Sequence, residues 1–542
     1  MRKFLYWRPR WRRGRQRETL VRRRQRRRRT TNPTKTHPPA HHTPMLTSPK
    51  IPKPERSSAP SVPSVVPTNL PYFCRMTPIR FGTDGWRAII AKDFTFDNVR
   101  RIAHGTAAWL KNHHPNPKVM IGYDCRFMAG DFAQEVATHL ASQGIKVYLS
   151  PHFVTTPMVS LATVQHQCHL GIVLTASHNP PTYLGYKLKA PYGGPAPVSI
   201  LSEIEALIPD TAPAPTTSWE NLLTTRQIEI YDMEALYQNY IRSRFDLKAL
   251  SQLPHKIGFD AMHGAGQRIF PRLLPNINPF RCEYNPSFGG INPEPIPKNL
   301  GDFAVFMQEK ALDFGFILDG DADRIGMMGR GGHYIDAHHI ILLVLHYLVT
   351  YQKKHGRVIL SLSCATRVSE YARQNSLPVE ITPVGFKYIA EKMQAHPDTL
   401  LGAEESGGVA IPDHLPERDG TFIALLILEM LRQTGKTLDA LIQEIYEVVG
   451  PFAVDRLDWH LPDERKAALI NLLQTSPPSA LSGRKVLDID RTDGYKLLLQ
   501  GGEAIMFRAS GTEPILRIYT EAPTKARAME LISVGQELVM SA

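Results

Sequence analysis

Apolar and polar residues follow two alternating patterns along the chain from Met76 onward. Short apolar runs such as Leu170–Leu174 and Phe314–Leu318 predict buried strands, whereas a stretch such as 131–142 predicts a helix with one apolar face. Further predicted strands cover 119–123, 145–149, 256–260 and 357–361, and further predicted helices cover 233–242 and 422–432. Strands that alternate with helices predict an α/β protein.

The chain has 542 residues, more than one hydrophobic core supports, so we expect several domains. A Pro- and Thr-rich break at 209–217 ends the first folded unit, and a predicted helix opens the second. We predict an N-terminal extension followed by four domains, with limits at 1–75, 76–224, 225–330, 331–450 and 451–542.

Positive charge is concentrated in the first 75 residues. That segment holds 20 Lys and Arg against 2 Asp and Glu, whereas residues 76–542 hold 44 against 49. The remainder of the chain is therefore mildly acidic. This distribution disfavours a nucleic-acid-binding surface on the folded part.

Residues 1–75 carry dense arginine blocks followed by a stretch rich in Pro, Ser, Thr and His. Too few apolar residues are present for a core, so we predict that the segment is disordered. Four interpretations are open: an organelle transit peptide, a basic arm for nucleic acid or anionic surfaces, a tail without function, or upstream sequence with translation beginning at Met76. We favour the last, because globular patterning begins abruptly at Met76.

Neither a secretory signal nor a membrane span is predicted. No apolar segment follows the basic N-terminus, and the longest apolar stretch, 340–349, is interrupted by His346 and is too short for a bilayer. The five cysteines show no CxxC spacing, which favours a reducing compartment over a zinc site or a disulfide framework. We therefore expect a cytoplasmic protein, with organelle targeting as the lesser alternative.

The most informative loop follows the predicted strand Leu170–Leu174 and reads TASHNPP, with Ser177 at its centre. Ligands of α/β sheets bind just past the ends of such strands. A serine between a small residue and a turn-forming Asn-Pro-Pro is expected to be exposed and available as a nucleophile. On this loop alone, a helix-capping serine in an ordinary turn remains an alternative.

A second loop, DGDADR, follows the predicted strand Phe314–Leu318. Its carboxylates, Asp319, Asp321 and Asp323, repel one another unless a cation lies among them. An EF-hand does not fit, because Arg324 and Arg330 occupy its glycine and glutamate positions. We therefore predict a compact Mg²⁺ site, with a solvated acidic turn as the alternative.

Two later loops carry sugar-binding and phosphate-binding chemistry. Glu404 and Ser406 follow another apolar run and can accept hydrogen bonds from sugar hydroxyls, and Lys387 stands at a predicted helix start. Near the end of the chain, the segment RASGT at 508–512 combines an arginine with two hydroxyls and small residues. Such a loop can hold a phosphate group, although an ordinary glycine turn remains an alternative.

These loops occur in the order TASHNP, DGDADR, EESGG and RASGTEP, spaced about a domain apart. Together they resemble the four signature loops of the α-D-phosphohexomutase family, the phosphoglucomutases and phosphomannomutases. The segment FGTDGWR at 81–87 resembles that family's opening segment. The resemblance covers nearly all of residues 76–542.

The resemblance implies four domains around one cleft, three similar α/β domains and a smaller C-terminal α+β lid. It implies that Ser177 carries a phosphoryl group and that the Asp triad holds one Mg²⁺ together with that phosphate. Glu404 and Ser406 would contact sugar hydroxyls. The expected phosphate and cleft contacts come from Arg87, Arg126, Arg324, Arg508, Ser510, Gly511, Thr512 and Arg517. The candidates for positioning or proton transfer are His178, Lys187 and Lys387.

The implied reaction converts a hexose 1-phosphate into the 6-phosphate through a bisphosphate, with glucose 1,6-bisphosphate as activator. EESGG departs from the EMSGH of dual-specificity members, because Gly408 replaces their histidine. We therefore expect glucose phosphate as substrate, with mannose phosphate and then amino-sugar phosphates as alternatives. A Mg²⁺-dependent phosphatase is a remote alternative, since it has no use for the RASGT loop. We expect a monomer or homodimer.

Overall fold

The structure, a computed structural model, describes residues 78–82, 84–509 and 514–542. The predicted extension 1–75 and the proposed start at Met76 lie outside the described residues. Four β-sheets follow one another along the chain. Among the described residues, no helix combines the length and the apolar character needed to cross a membrane.

The first sheet has the strand order β1-β5-β4-β2-β3-β6. The strands β2, β3, β4 and β6 run parallel to one another. At one edge, β5 pairs antiparallel with β4, and β1 pairs antiparallel with β5. The strands are β1 Trp86–Ile89, β2 Lys118–Tyr123, β3 Lys146–Leu149, β4 Leu170–Leu174, β5 Tyr183–Lys189 and β6 Ile228–Ile230. The helices are α1 Phe96–His113, α2 Ala129–Ser142, α3 Thr156–Gln165, α4 Val198–Ala206 and α5 Trp219–Thr224.

The second sheet has the order β11-β10-β9-β7-β8, with β8, β7 and β9 parallel. Its strands are β7 Ile257–Asp260, β8 Asn278–Phe280, β9 Phe314–Leu318, β10 Ile325–Gly329 and β11 Tyr334–Ile335. Its helices are α6 Met233–Arg244, α7 Leu247–Ser251, α8 Ile269–Leu273 and α9 Gly301–Glu309.

The third sheet has the order β13-β12-β14-β15, with only β15 antiparallel to its neighbour. Its strands are β12 Arg357–Ser361, β13 Val379–Thr382, β14 Thr399–Glu404 and β15 Gly408–Ala410. Its helices are α10 Ala337–His346, which continues into a π-helical turn at Tyr347–Tyr351, α11 Thr366–Gln374, α12 Phe386–Ala395, α13 Gly420–Thr434 and α14 Leu438–Val449.

The fourth sheet differs from the others because all its described pairs are antiparallel, in the order β16-β21-β20-β19-β18-β17. Its strands are β16 Ala453–His460, β17 Ala480–Leu481, β18 Arg484–Asp490, β19 Tyr495–Leu499, β20 Glu503–Ala509 and β21 Ile515–Ala522. The helices α15 Asp463–Thr475 and α16 Lys525–Ser541 belong to this unit.

One topological feature is common to the first three sheets and positions the loops singled out above. In each sheet a parallel strand is followed along the chain by an antiparallel neighbour, as in β4–β5, β9–β10 and β14–β15. The loops that join these pairs are 175–182, 319–324 and 405–407. Each sheet therefore offers its polar loop at the carboxyl end of a buried parallel strand.

Several domain and helix limits in the structure differ from the predicted ones. The strand β6 pairs with Val147–Leu149, so the first sheet extends past the predicted domain limit at 224, and β11 extends the second sheet past 330. The predicted helix at 422–432 begins earlier, at Gly420, because the Asp419 side chain accepts a hydrogen bond from the Phe422 amide. It ends where Gly435 adopts φ 64°.

Candidate active site

The loop after β4 holds Ser177 in a left-handed backbone conformation, with φ 51°. The amide of Ser177 donates to Thr175 Oγ1 at 2.9 Å, and Thr175 Oγ1 donates to Asp124 Oδ2 at 2.5 Å. A non-glycine residue in this conformation carries backbone strain, which the surrounding contacts must offset. The loop is therefore held in one geometry by neighbouring side chains.

Ser177 is buried, with 1% of its surface exposed, so the expectation of an exposed serine is wrong. The loop after β9 covers it. A Cβ atom at Gly320 would lie 2.4 Å from the Ser177 carbonyl oxygen, so only glycine permits this approach of the two backbones. A sequence pattern from one strand could not reveal a cover supplied by another sheet.

Arg126 holds the same loop in place through hydrogen bonds to its backbone. It is 1% exposed, and all five of its side-chain N–H groups donate hydrogen bonds within the protein. The acceptors are Asp124 Oδ2 and the carbonyl oxygens of Ser177, Asn179, Pro180 and Tyr183. With no donor left for a ligand, Arg126 does not fit the expected role of a substrate contact, and we assign it a positioning role instead.

The three aspartates of the loop 319–324 converge as predicted, and their ligand oxygens lie within 4.8 Å of one another. All three residues are fully buried. Asp319 Oδ2 accepts a hydrogen bond from Ser177 Oγ at 2.8 Å. The candidate nucleophile thus contacts the candidate metal site directly.

The unused oxygens of this triad test whether a cation fits. Asp321 Oδ2 accepts from Thr156 Oγ1 at 2.6 Å and from Lys187 Nζ at 2.9 Å, whereas Asp321 Oδ1 and Asp323 Oδ1 have no hydrogen-bond partner among the described residues. Buried carboxylate oxygens without partners are costly, and hard divalent cations prefer oxygen ligands. The donor set therefore fits Mg²⁺.

Electrostatics around the triad favour the same interpretation. Burial raises the pKa of Asp319 well above its usual range, and the neighbouring Asp321 and Asp323 raise it further. A bound cation would remove this repulsion.

Lys187 lies on β5, the strand that follows the serine loop, and its side chain contacts the triad. Its Nζ contacts Asp84 at 2.7 Å, Asp321 at 2.9 Å and Asp323 at 3.4 Å. Burial alone would lower the pKa of Lys187, but Asp321 and Asp84 raise it above its usual value. Lys187 therefore remains charged in this position.

The other predicted cationic and imidazole groups lie around the same loops. Arg87 Nη1 donates to Asn179 Oδ1 at 2.6 Å. Arg324 lies beside the triad, and its Nε has no hydrogen-bond partner among the residues that the structure describes. Burial, together with nearby Arg324 and Arg87, holds the pKa of His178 well below its usual value. The pKa of Lys387, at the start of α12, is lowered by burial and partly restored by Asp84.

The loop 405–407 and the end of β14 bring Glu404 and Ser406 together. Ser406 Oγ donates to Glu404 Oε1 at 2.7 Å, and Arg418 Nη1 contacts the same oxygen at 2.9 Å. Arg418 Nη2 lies 2.6 Å from Asp323 Oδ2. One guanidinium therefore joins the loop after β14 to the aspartate triad.

In the fourth unit, Arg508 and Arg517 stand directly opposite each other on β20 and β21. Their side chains are 17% and 25% exposed, and they form ion pairs with Asp493 at 3.0 Å and Asp458 at 3.8 Å. The predicted phosphate contacts Ser510, Gly511 and Thr512 lie outside the described residues.

Several residues of this centre, charged except for one threonine, receive no role from the sequence pattern. Asp84 belongs to the opening segment 81–87 but has no assigned role there, and Arg418 lies in a segment without a recognisable motif. The others are Thr156, Lys189 and Glu417. One signal was available: Glu417, Arg418 and Asp419 are three adjacent charges directly before an apolar helix, where charges need partners.

Comparisons with known proteins agree with this geometry. Models of the phosphoglucomutase/phosphomannomutase family match all four of its domains: α/β/α domain I at residues 78–214, domain II at 235–332, domain III at 336–449 and the C-terminal domain at 461–533. The fold and site thus define an α/β phosphotransfer enzyme of four domains. The chain belongs to the phosphoglucomutase/phosphomannomutase family, whose members are Mg²⁺-dependent isomerases.

Relatives in this family carry different substrate names. A phosphoglucomutase/phosphomannomutase of Thermococcus kodakarensis is 29% identical, over 85% of this chain and 98% of the relative. A phosphoglucosamine mutase of Caldicellulosiruptor bescii is 27% identical, over 81% and 94%. A solved structure from Thermus thermophilus, described as a phosphomannomutase, is 35% identical with a TM-score of 0.75, over 85% and 99%. These relatives belong to one family and differ in the sugar that their names give.

Proposed function

We propose that this protein is a phosphoglucomutase that interconverts glucose 1-phosphate and glucose 6-phosphate through a phosphoserine at Ser177. The observation that carries the proposal is the hydrogen bond of 2.8 Å from Ser177 Oγ to Asp319, within a buried triad of carboxylates. A serine with a purely structural role does not require three buried carboxylates beside its hydroxyl group. A phosphoserine would place its anionic oxygens where a cation can neutralise them.

The proposed chemistry needs two phosphoryl transfers in opposite directions. In the first, the bond between Ser177 Oγ and phosphorus breaks while a sugar hydroxyl oxygen forms a bond to that phosphorus. The glucose 1,6-bisphosphate formed in this way then reorients in the site. In the second transfer, the phosphoryl group that the substrate originally carried passes to Ser177 Oγ, and its bond to the sugar oxygen breaks. Mg²⁺ held by Asp319, Asp321, Asp323 and the phosphoserine would supply charge neutralisation at the transferring group.

The residues of the chain divide the remaining tasks. Lys187 stays charged beside the triad and can stabilise the transferring phosphoryl group. His178 and Lys387, whose pKa values are lowered, are the proposed groups for moving the proton of the sugar hydroxyl. Arg126 acts only through the loop that it supports.

The remaining substrate contacts are proposed from charge and position. Glu404 and Ser406 would accept hydrogen bonds from sugar hydroxyls. The phosphate that is not being transferred would meet the loop 510–512 and its two flanking arginines. Arg87 and Arg324 lie beside the serine loop and the triad and would attract phosphate there. The proposed phosphate contacts are Arg87, Arg324, Arg508, Ser510, Gly511, Thr512 and Arg517.

Glucose is the preferred sugar because the segment EESGG ends in Gly408, the first residue of β15, where the segment EMSGH has a histidine. Phosphomannomutase, or dual specificity, is the second candidate, supported by the solved relative at 35% identity that is described as a phosphomannomutase. A sugar phosphatase is disfavoured, because it would not require a separate site for a second phosphate.

The test uses the full chain with Mg²⁺ and trace glucose 1,6-bisphosphate. Glucose 1-phosphate, mannose 1-phosphate and glucosamine 1-phosphate are compared as substrates, with Ser177→Ala as the control for background activity. Fast formation of glucose 6-phosphate that requires the bisphosphate supports the proposal. Faster turnover of mannose 1-phosphate than of glucose 1-phosphate would make mannose phosphate the substrate instead. Release of inorganic phosphate would indicate the phosphatase instead.

We also propose a cytoplasmic location and a monomeric or homodimeric state. All four described cysteines are free thiols, which suits a reducing compartment. Light scattering during size-exclusion chromatography tests the state, and a mass of three or more chains contradicts it. Fractionation of cells tests the location, and recovery in an organelle contradicts it.

A further inference from the structure

Arg418 lies directly before α13 and is 3% exposed. Its guanidinium nitrogens lie 2.6 Å from Asp323, 2.9 Å from Glu404, 3.2 Å from Asp84 and 3.5 Å from Glu417. These carboxylates come from the opening segment, the triad loop, the end of β14 and the segment before α13. One side chain therefore connects parts of the chain that lie up to 334 residues apart.

The contact with Asp323 affects the orientation of a candidate metal ligand. Arg418 and Lys187 both lie near Asp323 Oδ2, which leaves Asp323 Oδ1 as the oxygen without a hydrogen-bond partner among the described residues. A planar guanidinium fixes the plane of a carboxylate better than an ammonium group does. Groups that orient a ligand in this way influence metal affinity strongly.

The space that Arg418 occupies depends on Gly408, the first residue of β15. A Cβ atom at position 408 would lie 2.4 Å from Arg418 Cδ, 3.0 Å from Arg418 Cγ and 3.1 Å from Glu404 Cγ. Contacts under about 3.0 Å essentially do not occur for real Cβ atoms, so a side chain at 408 and the extended Arg418 exclude each other. On the other side, the guanidinium carbon lies 5.0 Å from the centre of the Phe386 ring, which limits where Arg418 could move.

We propose that Arg418 is a positioning residue that links the aspartate triad to Glu404, the proposed sugar contact at the end of β14. We also propose that glycine at position 408 provides the space for the Arg418 side chain. Asp323 and Glu404 then share one rigid cation, so the geometry of the metal site depends on the loop after β14. The proposal deepens the proposed function. It rests on that function for the metal site at the triad and for the sugar contact at Glu404, and its tests measure metal binding and thermal stability rather than turnover.

The first test measures the affinity of the full chain for Mn²⁺ alone, by electron paramagnetic resonance of the free ion. Arg418→Lys keeps the positive charge but loses the planar fork. We expect it to weaken Mn²⁺ binding by about 10- to 100-fold, as for other groups that orient ligands. Unchanged or tighter binding overturns the positioning role.

Arg418→Ala separates orientation from charge in the same assay. If charge alone mattered, removal of a cation beside the triad would tighten Mn²⁺ binding. We expect weaker binding, and tighter binding in this variant contradicts the proposal. The matched control is Arg101→Ala, which removes a buried arginine that donates to Pro209 O and Asn98 Oδ1 within the first unit. It should leave Mn²⁺ affinity within about twofold of the wild type.

The second test asks whether positions 408 and 418 depend on each other. Gly408→Ala should lower the melting temperature by several degrees in the wild-type background and much less in the Arg418→Ala background, where the clashing stem is gone. Equal shifts in the two backgrounds would refute the assigned role of Gly408. Because neither test involves a sugar, a failed mutase assay and a failed positioning role are recognised separately.

Discussion

The surroundings of Ser177 and the arginine pair of the fourth unit are built in opposite ways. Ser177 and the aspartate triad are buried, and their neighbours are held by hydrogen bonds and ion pairs from three sheets. Arg508 and Arg517 are partly exposed and stand side by side on one antiparallel sheet. The first region fixes atoms, whereas the second presents positive charge.

The difference follows from what each region is proposed to do. Phosphoryl transfer requires the reacting atoms to be positioned within a fraction of an ångström, which buried and mutually bonded groups provide. A site that must receive the phosphate of either end of a sugar needs attraction more than exact geometry. Substitutions in the first region should therefore lower kcat, and those in the second should mainly raise KM.

Ser177→Ala should have the largest effect, because it removes the atom that carries the phosphoryl group. We expect kcat to fall by at least about 10⁴-fold, as when a covalent nucleophile is lost. Measurement of turnover and of ³²P incorporation into the protein checks this. Ser150→Ala is the matched control, since Ser150 is also buried and also follows a parallel strand of the first sheet. Near-normal turnover in Ser177→Ala would remove the basis of the proposed function.

Asp321→Asn should have the next largest effect. The variant keeps the shape of the side chain but removes the charge from one of three converging ligands, so we expect Mn²⁺ binding to weaken by more than about 100-fold and turnover to fall with it. Asp260→Asn is the control for the loss of a buried carboxylate in the same unit, because Asp260 pairs with Arg281 instead. Equal Mn²⁺ affinity in the two variants would place the metal elsewhere.

The sequence predicted those parts of the centre that depend on local pattern. An apolar run followed by a polar loop placed Ser177 and Asp319 at strand ends, and β4 and β9 match the predicted limits. It did not predict the burial of Ser177 or the roles of Arg126 and Arg418. Those properties depend on contacts such as Asp84–Arg418, across 334 residues, which no local periodicity records.

Arg126→Lys tests whether the rigidity of the serine loop matters by itself. Lysine keeps the charge but offers three donors where Arg126 uses five, so some loop carbonyls would lose their partner. A displacement of Ser177 by about 1 Å should lower kcat by about 100-fold with little change in KM. Arg101→Lys is the control. An increase in KM alone would return Arg126 to the substrate-binding residues.

Arg517→Ala should have the smallest effect on kcat and completes the contrast. Loss of one charged hydrogen bond to a phosphate amounts to about 1.5–3 kcal/mol, so we expect KM to rise by about tenfold or more while kcat stays within a few-fold. Arg527→Ala, in the same unit, removes an arginine that pairs with Glu503 and should change neither constant. If Arg517→Ala instead lowers kcat as strongly as Arg126→Lys, the fourth unit also fixes reacting atoms, and the division between a positioning region and an attracting region is wrong.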